Sequence, residues 1–171
     1  QQYDVGDPRQ LESTADFLLY FLNQVRENYD YIIVDTQPTR DSMILSNALV
    51  AADYVLIPMM CDSFSEDSAF RTYSICNELR KNPKTNLKGI GVILTMVDKG
   101  AATRETREEC QRVLGPTLFK TEIPSALAVK TSVRRCVPVC YSAKTQPIGK
   151  SYVAAYKELK QRLEKLDKEE N

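Results

Sequence analysis

The sequence has no histidine, and its five cysteines, Cys61, Cys76, Cys110, Cys136 and Cys140, are odd in number and scattered. A mixed zinc site therefore has no imidazole to draw on. The one close pair, Cys136 and Cys140, is separated by three residues rather than the two of the usual chelating gap. No metal is expected on these thiols, and reduced cysteines fit a cytoplasmic setting. An excess of either charge is also missing, with 23 basic and 23 acidic residues. Any nucleic-acid contact must then come from a local patch rather than a global field. No apolar run approaches the roughly 20 residues of a membrane span, and Gln1 to Pro8 has neither the basic end nor the apolar stretch of a signal peptide. Internal repeats and low-complexity segments are absent as well. The first residue is not Met, which points to a fragment.

What is present, 43% hydrophobic and 27% charged residues over 171 positions, is enough for one sizeable core, so residues 1–171 are expected to form a single domain. Asp7 and Pro8 read as a helix start, followed at helical spacing by Leu11, Phe17, Leu18, Phe21, Leu22 and Val25 as far as Asn28. Tyr31 to Val34 reads as a buried strand that ends on the carboxylate of Asp35. A helical pattern through Ile44, Leu45, Ala48 and Leu49 leads to a second strand, Tyr54 to Ile57, stopped by Pro58. Ser63 and Glu66 have capping-box spacing ahead of a helix that aligns Ala69, Tyr73, Cys76 and Leu79.

A third strand is expected from Ile90 to Met96. Thr103 then caps a charged helix carrying Cys110, Val113 and Leu114, and Leu118 to Ile123 is expected as a fourth strand ending at Pro124. The alternation predicts an α/β fold: three layers, a mostly parallel sheet with helices on both faces, and ligands gathering where strands end. The last segment, 148–171, reads as a C-terminal helix with a polar, acidic tail. Tyr152, Tyr156, Leu159, Leu163 and Leu166 form its apolar seam.

The stretch Tyr29-Asp30-Tyr31-Ile32-Ile33-Val34-Asp35-Thr36-Gln37-Pro38 resembles the Walker B motif of the ParA/Soj/MinD-type deviant-Walker P-loop ATPases, usually written YDYIIIDxPP. The resemblance continues through Asn47 to Pro58 and Gly89 to Asp98, and reaches Ile123-Pro124 and Val137-Pro138-Val139. It implies that Asp35 orients Mg²⁺ through water, chemistry that suits a strand-end carboxylate because Mg²⁺ prefers oxygen and keeps its waters. It also implies a switch region at Thr36, Gln37 and Pro38, and an adenine-facing set of Thr95, Met96, Asp98, Pro124, Ser125 and Ala126. The sequence departs from the family at Gln37, which replaces the first proline of the usual pair. It departs again at Ser125-Ala126, where an Arg-Asn pair is usual. Bland readings stand beside these: a strand-end aspartate that caps the next helix, and a methionine that packs in a core.

Basic residues cluster late, at Arg104, Arg107, Arg112, Lys130, Arg134, Arg135, Lys144 and Lys150, with acids interleaved at Glu105, Glu108 and Glu109. By resemblance Arg134, Arg135, Lys130 and Lys144 are candidates for holding DNA by its phosphates, against the alternative of a solvated charged surface. The parent protein would bind ATP and Mg²⁺, form a homodimer, bind DNA non-specifically and answer to a centromere-binding ParB-like partner in plasmid or chromosome partitioning. It would be nucleoid-associated where DNA binding is retained.

The family's phosphate loop, KGGxGKT, has no counterpart here. The six glycines are dispersed, and Gly89-Ile90-Gly91 leads into a strand rather than a helix. This chain alone is expected neither to hydrolyse ATP nor to hold nucleotide tightly. In the family's fold the missing loop follows a strand lying between those that end at Asp35 and Pro58. Two unpaired edges there would cost about 1 to 3 kcal/mol per buried backbone group, against about 5 to 15 kcal/mol for a whole domain. A sheet incomplete at its N-terminal side is therefore expected, belonging to a truncated piece, a natural remnant or a chain that pairs with another. Two other readings remain open: a non-catalytic binding or dimerisation module, and a MinD-like positioning ATPase, against which the acidic C-terminus counts as a membrane contact.

Overall fold

The computed structural model of the chain describes residues 17–37, 43–82 and 85–169. The order is α1 (Phe17–Val25), α2 (Met43–Ala51), β1 (Tyr54–Met60), α3 (Ser63–Lys81), β2 (Gly89–Thr95), α4 (Ala101–Leu114), α5 (Leu127–Arg134), α6 (Val139–Ser142) and α7 (Pro147–Glu169). Single 3₁₀ turns follow α1 and α4, at Arg26–Asn28 and Gly115–Thr117. The fold is α/β, a parallel sheet flanked by helices with its N-terminal side only partly formed. Two compact units divide the chain, Gln1–Val55 with Ile75–Lys88, and Leu56–Ser74 with Gly89–Asn171.

In the first unit, Leu18, Leu22 and Val25 recur at helical spacing along α1, half-buried, while Phe17 and Phe21 face outward. The helix packs against α2, whose Ala48, Leu49 and Ala51 are buried, and the Leu18 amide donates to Asn47 Oδ1 at 3.2 Å. The expected start at Asp7-Pro8 lies outside the described residues. Tyr31 to Val34 departs from the buried strand read in the sequence: these residues belong to no helix or strand, and Ile33 is 90% exposed. An apolar run becomes a buried strand only when neighbours take up its backbone groups and cover its faces, and among the described residues no strand pairs with it.

In the second unit β2 is buried along almost its whole length, the signature of a strand covered on both faces. β1 lies beside it and buries one face only, through Ile57 and Met59. The strand runs through Pro58 instead of stopping there. Pro58 is exposed, and a residue without an N–H is tolerated where a strand has a free edge. The start of α3 is capped by Asp62 rather than by Ser63: its Oδ1 accepts the Ser65 amide at 2.9 Å and its Oδ2 the Ser65 hydroxyl at 2.9 Å. Those bonds hold the Asp62 carboxyl below its ordinary range. Glu66, freed from a capping box, accepts from Thr106 of α4 at 3.3 Å.

α4 buries Thr103, Thr106, Cys110 and Leu114 along one stripe, and Val113 lies outside it. Its cap position is Gly100, with Thr103 already inside the first turn. Gly115, at φ +50°, closes the helix by donating to the Gln111 carbonyl. A core cluster of Ile93, Phe119, Ile123, Val139, Ala143 and Ile148 then joins β2 to the C-terminal helices, with Ala155 and Leu159 of α7 packed against it. Of the seam read from the sequence, Leu159 packs on the core and Leu163 and Leu166 are half-buried, whereas Tyr152 and Tyr156 are exposed. At the start of α7 a β-carbon on Gly149 would overlap the Ala143 carbonyl, 2.7 Å from its carbon.

Candidate functional site

The expected fourth strand is not continuous. Residues 118–125 run parallel to β2 but pair with it only at two isolated bridges, Val92 with Leu118 and Val97 with Pro124. The Phe119 amide donates to Val92 O at 2.8 Å and the Ile123 amide to Leu94 O at 2.9 Å. Four residues on one side thus span two on β2, so Lys120 and Thr121 bulge out of the ladder. Beyond Leu94 the mismatch is partly reversed. The Val97 amide donates to Ile123 O at 3.1 Å and the Ser125 amide to Val97 O at 3.0 Å, so three residues of the β2 side now span two. The extra one is Met96, at φ +52°, a left-handed conformation that costs a non-glycine residue about 1 to 2 kcal/mol.

These two offsets bring Thr95, Met96, Asp98, Pro124, Ser125 and Ala126 together where β2 ends. Thr95 gives its hydroxyl to Met59 O at 3.2 Å and so ties β2 to β1. Met96 is 64% exposed, which removes core packing as its role. Asp98 accepts from Thr103 Oγ1 at 2.5 Å and from the Gly100 amide at 2.8 Å, and the Thr103 and Gly100 bonds, in that order, hold its carboxyl below the ordinary range. Its carboxylate therefore shapes the turn into α4. Pro124 and Ala126 are half-buried and Ser125 is exposed. Exposed Met96 and half-buried Pro124 give this strand end an apolar part, while the Ser125 amide is taken by Val97 O and the Ala126 carbonyl by the Val129 amide.

Asp35, Thr36 and Gln37 lie in the first unit, Asp35 and Gln37 exposed and Thr36 half-buried, while Pro38 lies outside the described residues. A Mg²⁺ ion needs about six oxygen ligands in near-octahedral array. Among the described residues no group of three or more acidic or thiol side chains could hold a metal, so Asp35 offers a single carboxylate, and an ion whose waters it oriented would have to take its other ligands from outside these residues. The site does not fit the ion by itself, and no hydrolytic step follows from these residues.

Burial keeps the thiols of α3 and α4 protonated: Cys76 is pushed up to about 11, and Cys110 up to about 12 with a smaller contribution from Glu66. All five cysteines are free.

The basic candidates sit on the C-terminal helices. Lys130 and Arg134 are exposed on α5, Arg135 follows it, and α5 packs on α6. Lys144 meets Lys150 and Lys157 of α7 around an open cleft of about 310 Å³ that Val153 and Ala154 complete. Lys157 was not singled out by sequence reading, although a signal for it existed. From Ile123 to Lys157 there are six basic residues and no acidic one. No helix among the described residues is long and apolar enough to cross a membrane.

Residues 8–89 match the family model AAA_31, described as an AAA domain. The chain is 34% identical over 106 residues to the sporulation initiation inhibitor protein Soj of Bacillus subtilis (strain 168), a match covering 60% of this chain and 41% of Soj. It is 29% identical over 143 residues to the chromosome partitioning protein ParA of Myxococcus xanthus (strain DK1622), covering 82% of this chain and 50% of that one. In fold it is similar to apo McdA of Cyanthece, with a TM-score of 0.73 at 21% identity over 85% of this chain and 59% of McdA. The α/β fold is thus that of the P-loop ATPases. Within them the chain is similar to the ParA/Soj type. It spans about half the length of the curated relatives it matches.

Proposed function

We propose that the chain is the Walker B and base-binding part of a partition-type ATPase, whose whole protein binds ATP with Mg²⁺, dimerises and holds DNA without reading its sequence. The observation that carries this reading is the pair of offsets that gathers Met96, Asp98 and Pro124 to Ala126 beyond β2, where an α/β sheet takes its ligand. In this reading Met96 and Pro124 pack on adenine, the Ser125 and Ala126 backbone reads its edge, and Asp35 orients the waters of the ion. Phosphate contacts have no provider in this sequence, so the chain alone does not turn over ATP. A ParB-like partner would reset the whole protein. Lys130, Arg134, Arg135 and Lys144 would meet the DNA backbone, joined by Lys150 and Lys157, and so hold the protein on the nucleoid.

The test compares ATP hydrolysis by this chain with that of the full-length gene product that contains it. The expected result is no turnover by the chain, and turnover by the full-length protein that Asp35→Ala reduces at least about a hundredfold. Full-length protein without turnover would favour the second reading, a binding module without catalysis. The specific observation behind that reading is the missing glycine-lysine loop.

A further inference from the structure

The bulge at Lys120 and Thr121 poses a physical problem. Regular pairing would give the Thr121 amide to the Leu94 carbonyl, which Ile123 takes instead, so the amides of Lys120 and Thr121 both lack a partner on β2, and Thr121 is half-buried where water reaches it poorly. An unmet amide in such a place costs about 1 to 3 kcal/mol. One side chain meets both. Glu158 of α7, 38 residues from Lys120, accepts the Lys120 amide on Oε1 and the Thr121 amide on Oε2, each at 2.9 Å. Arg162, one turn further on, holds the same carboxylate at 2.8 Å. It also donates to the carbonyls of Pro116 at 2.9 Å and Leu118 at 2.8 Å, and its guanidinium lies 4.3 Å from the centre of the Phe119 ring. On the other side of the bulge Arg107 of α4 grips Glu122 with two bonds, of 2.5 and 2.9 Å.

The alternative that this arrangement opposes is definite. A slip of two residues would erase the bulge and let the Thr121 amide take the Leu94 carbonyl. Because side chains alternate with a period of two, such a slip keeps every residue on its own face, so hydrophobic pattern resists it only weakly. It would carry Pro124, Ser125 and Ala126 about 6.5 Å along β2, out of the array beside Met96.

We infer that Glu158 and Arg162 of the C-terminal helix, with Arg107 opposite, are a register pin: they hold the bulge at Lys120 and Thr121 and thereby position the loop Pro124 to Ala126. The pin makes the C-terminal helix a positioning element for the base-facing loop, and in that clause it rests on the reading of the loop given above. None of the three side chains needs to touch nucleotide.

The experiment uses the complete 171-residue chain, isotopically labelled, without nucleotide. In the unsubstituted chain the Ile123 amide should lie across from Leu94, and the Lys120 and Thr121 amides should be protected from exchange. Glu158→Ala should move the cross-strand contact from Ile123 to Thr121, and should speed exchange at the former bulge by roughly tenfold or more while β1 and α3 keep their protection. A contact that stays at Ile123 with unchanged exchange overturns the pin. Should Glu158→Ala fail to fold, Glu158→Gln replaces it. The amide side chain offers one acceptor in place of two, so one of the two bulge amides is expected to exchange faster, and unchanged exchange at both overturns the proposal. The base reading has its own readout: titration of the unsubstituted chain with millimolar Mg-ATP. Shifts absent at Ser125 and Ala126 count against that reading alone, since the register measurement needs no ligand.

Discussion

Gly149 shows how one absent side chain decides where a helix sits. Its lack of a side chain lets the start of α7 lie against the Ala143 carbonyl in the turn after α6, and Ile148 beside it is buried in the core. Gly149→Ala would ordinarily favour a helix by about 1 kcal/mol. Here the added methyl meets rigid backbone rather than a side chain that can swing away, and overpacking of that kind costs about 1 to 3 kcal/mol. The steric term wins. Urea denaturation should therefore give a lower midpoint for Gly149→Ala, against the direction that helix propensity alone predicts. The seam of α7 was legible in its leucines and not in its tyrosines: Leu159 packs on the core, whereas Tyr152 and Tyr156 are exposed. Size and spacing pointed to Tyr152 and Tyr156, but nothing in a helical repeat marks which of its apolar positions will meet a neighbour.

At the scale of elements, legibility follows how local the cause is. The apolar run of β2 is buried as read, because six consecutive apolar or glycine residues admit few other fates. Tyr31 to Val34 carries the same pattern, yet Ile33 is 90% exposed while Val92 in β2 is 0% exposed. The pattern records what a segment can bury, and the partner decides whether it does. Ile33→Lys should accordingly leave the thermal stability of this chain within about 0.5 kcal/mol of the original. Val92→Ala should cost about 2 to 4 kcal/mol, checked by the same melting curve. A large loss from Ile33→Lys would show that the segment is packed after all. Thr95, Met96, Asp98 and Pro124 to Ala126 were named together from their motif, but the two offsets that bring them to one strand end were not legible, since the bulge is held by Glu158, 37 residues beyond Thr121.

Glu158 also makes that element sensitive to acid. Partial burial pushes its carboxyl up, but the bonds from the Lys120 amide, Arg162 and the Thr121 amide outweigh burial and hold it below the ordinary 4.5. A carboxyl depressed in the folded state contributes stability that is complete above its unfolded value and is lost as pH falls through the folded one. The urea midpoint should therefore fall as pH drops below about 4.5, and Glu158→Gln should flatten that part of the decline. Equal slopes for the two proteins in that range would remove Glu158 from the acid response.

For the whole molecule the balance of charge conceals its distribution. Net charge is zero, and the acids at Glu105 to Glu109 seemed to dilute the late basic residues. The structure sorts them: Glu109 pairs with Arg112 and Glu122 with Arg107, both on α4 or facing it, whereas the acid-free run from Ile123 to Lys157 supplies α5, α6 and the first half of α7. Lys150, Val153, Ala154 and Lys157 fall at the spacing of one helical face, and Lys144 joins that face at the cleft. Lysines so placed repel one another and are relieved by a polyanion. If the run holds a DNA backbone with four to six phosphate contacts, the logarithm of affinity should fall against the logarithm of salt with a slope of about −4 to −5. Removing one lysine should lower that slope by about one, and should weaken binding alike for duplexes of unrelated sequence. Lys150→Glu with Lys157→Glu is the sharper variant, because it reverses the field of the cleft while both residues stay on the outer face of α7, away from the core contacts of Ile148, Ala155 and Leu159. Fluorescence anisotropy with a labelled duplex between 50 and 200 mM salt, about the range over which such contacts lose most of their affinity, reads all three effects. A slope near zero, or binding unchanged by the double reversal, would place any DNA contact elsewhere on the molecule.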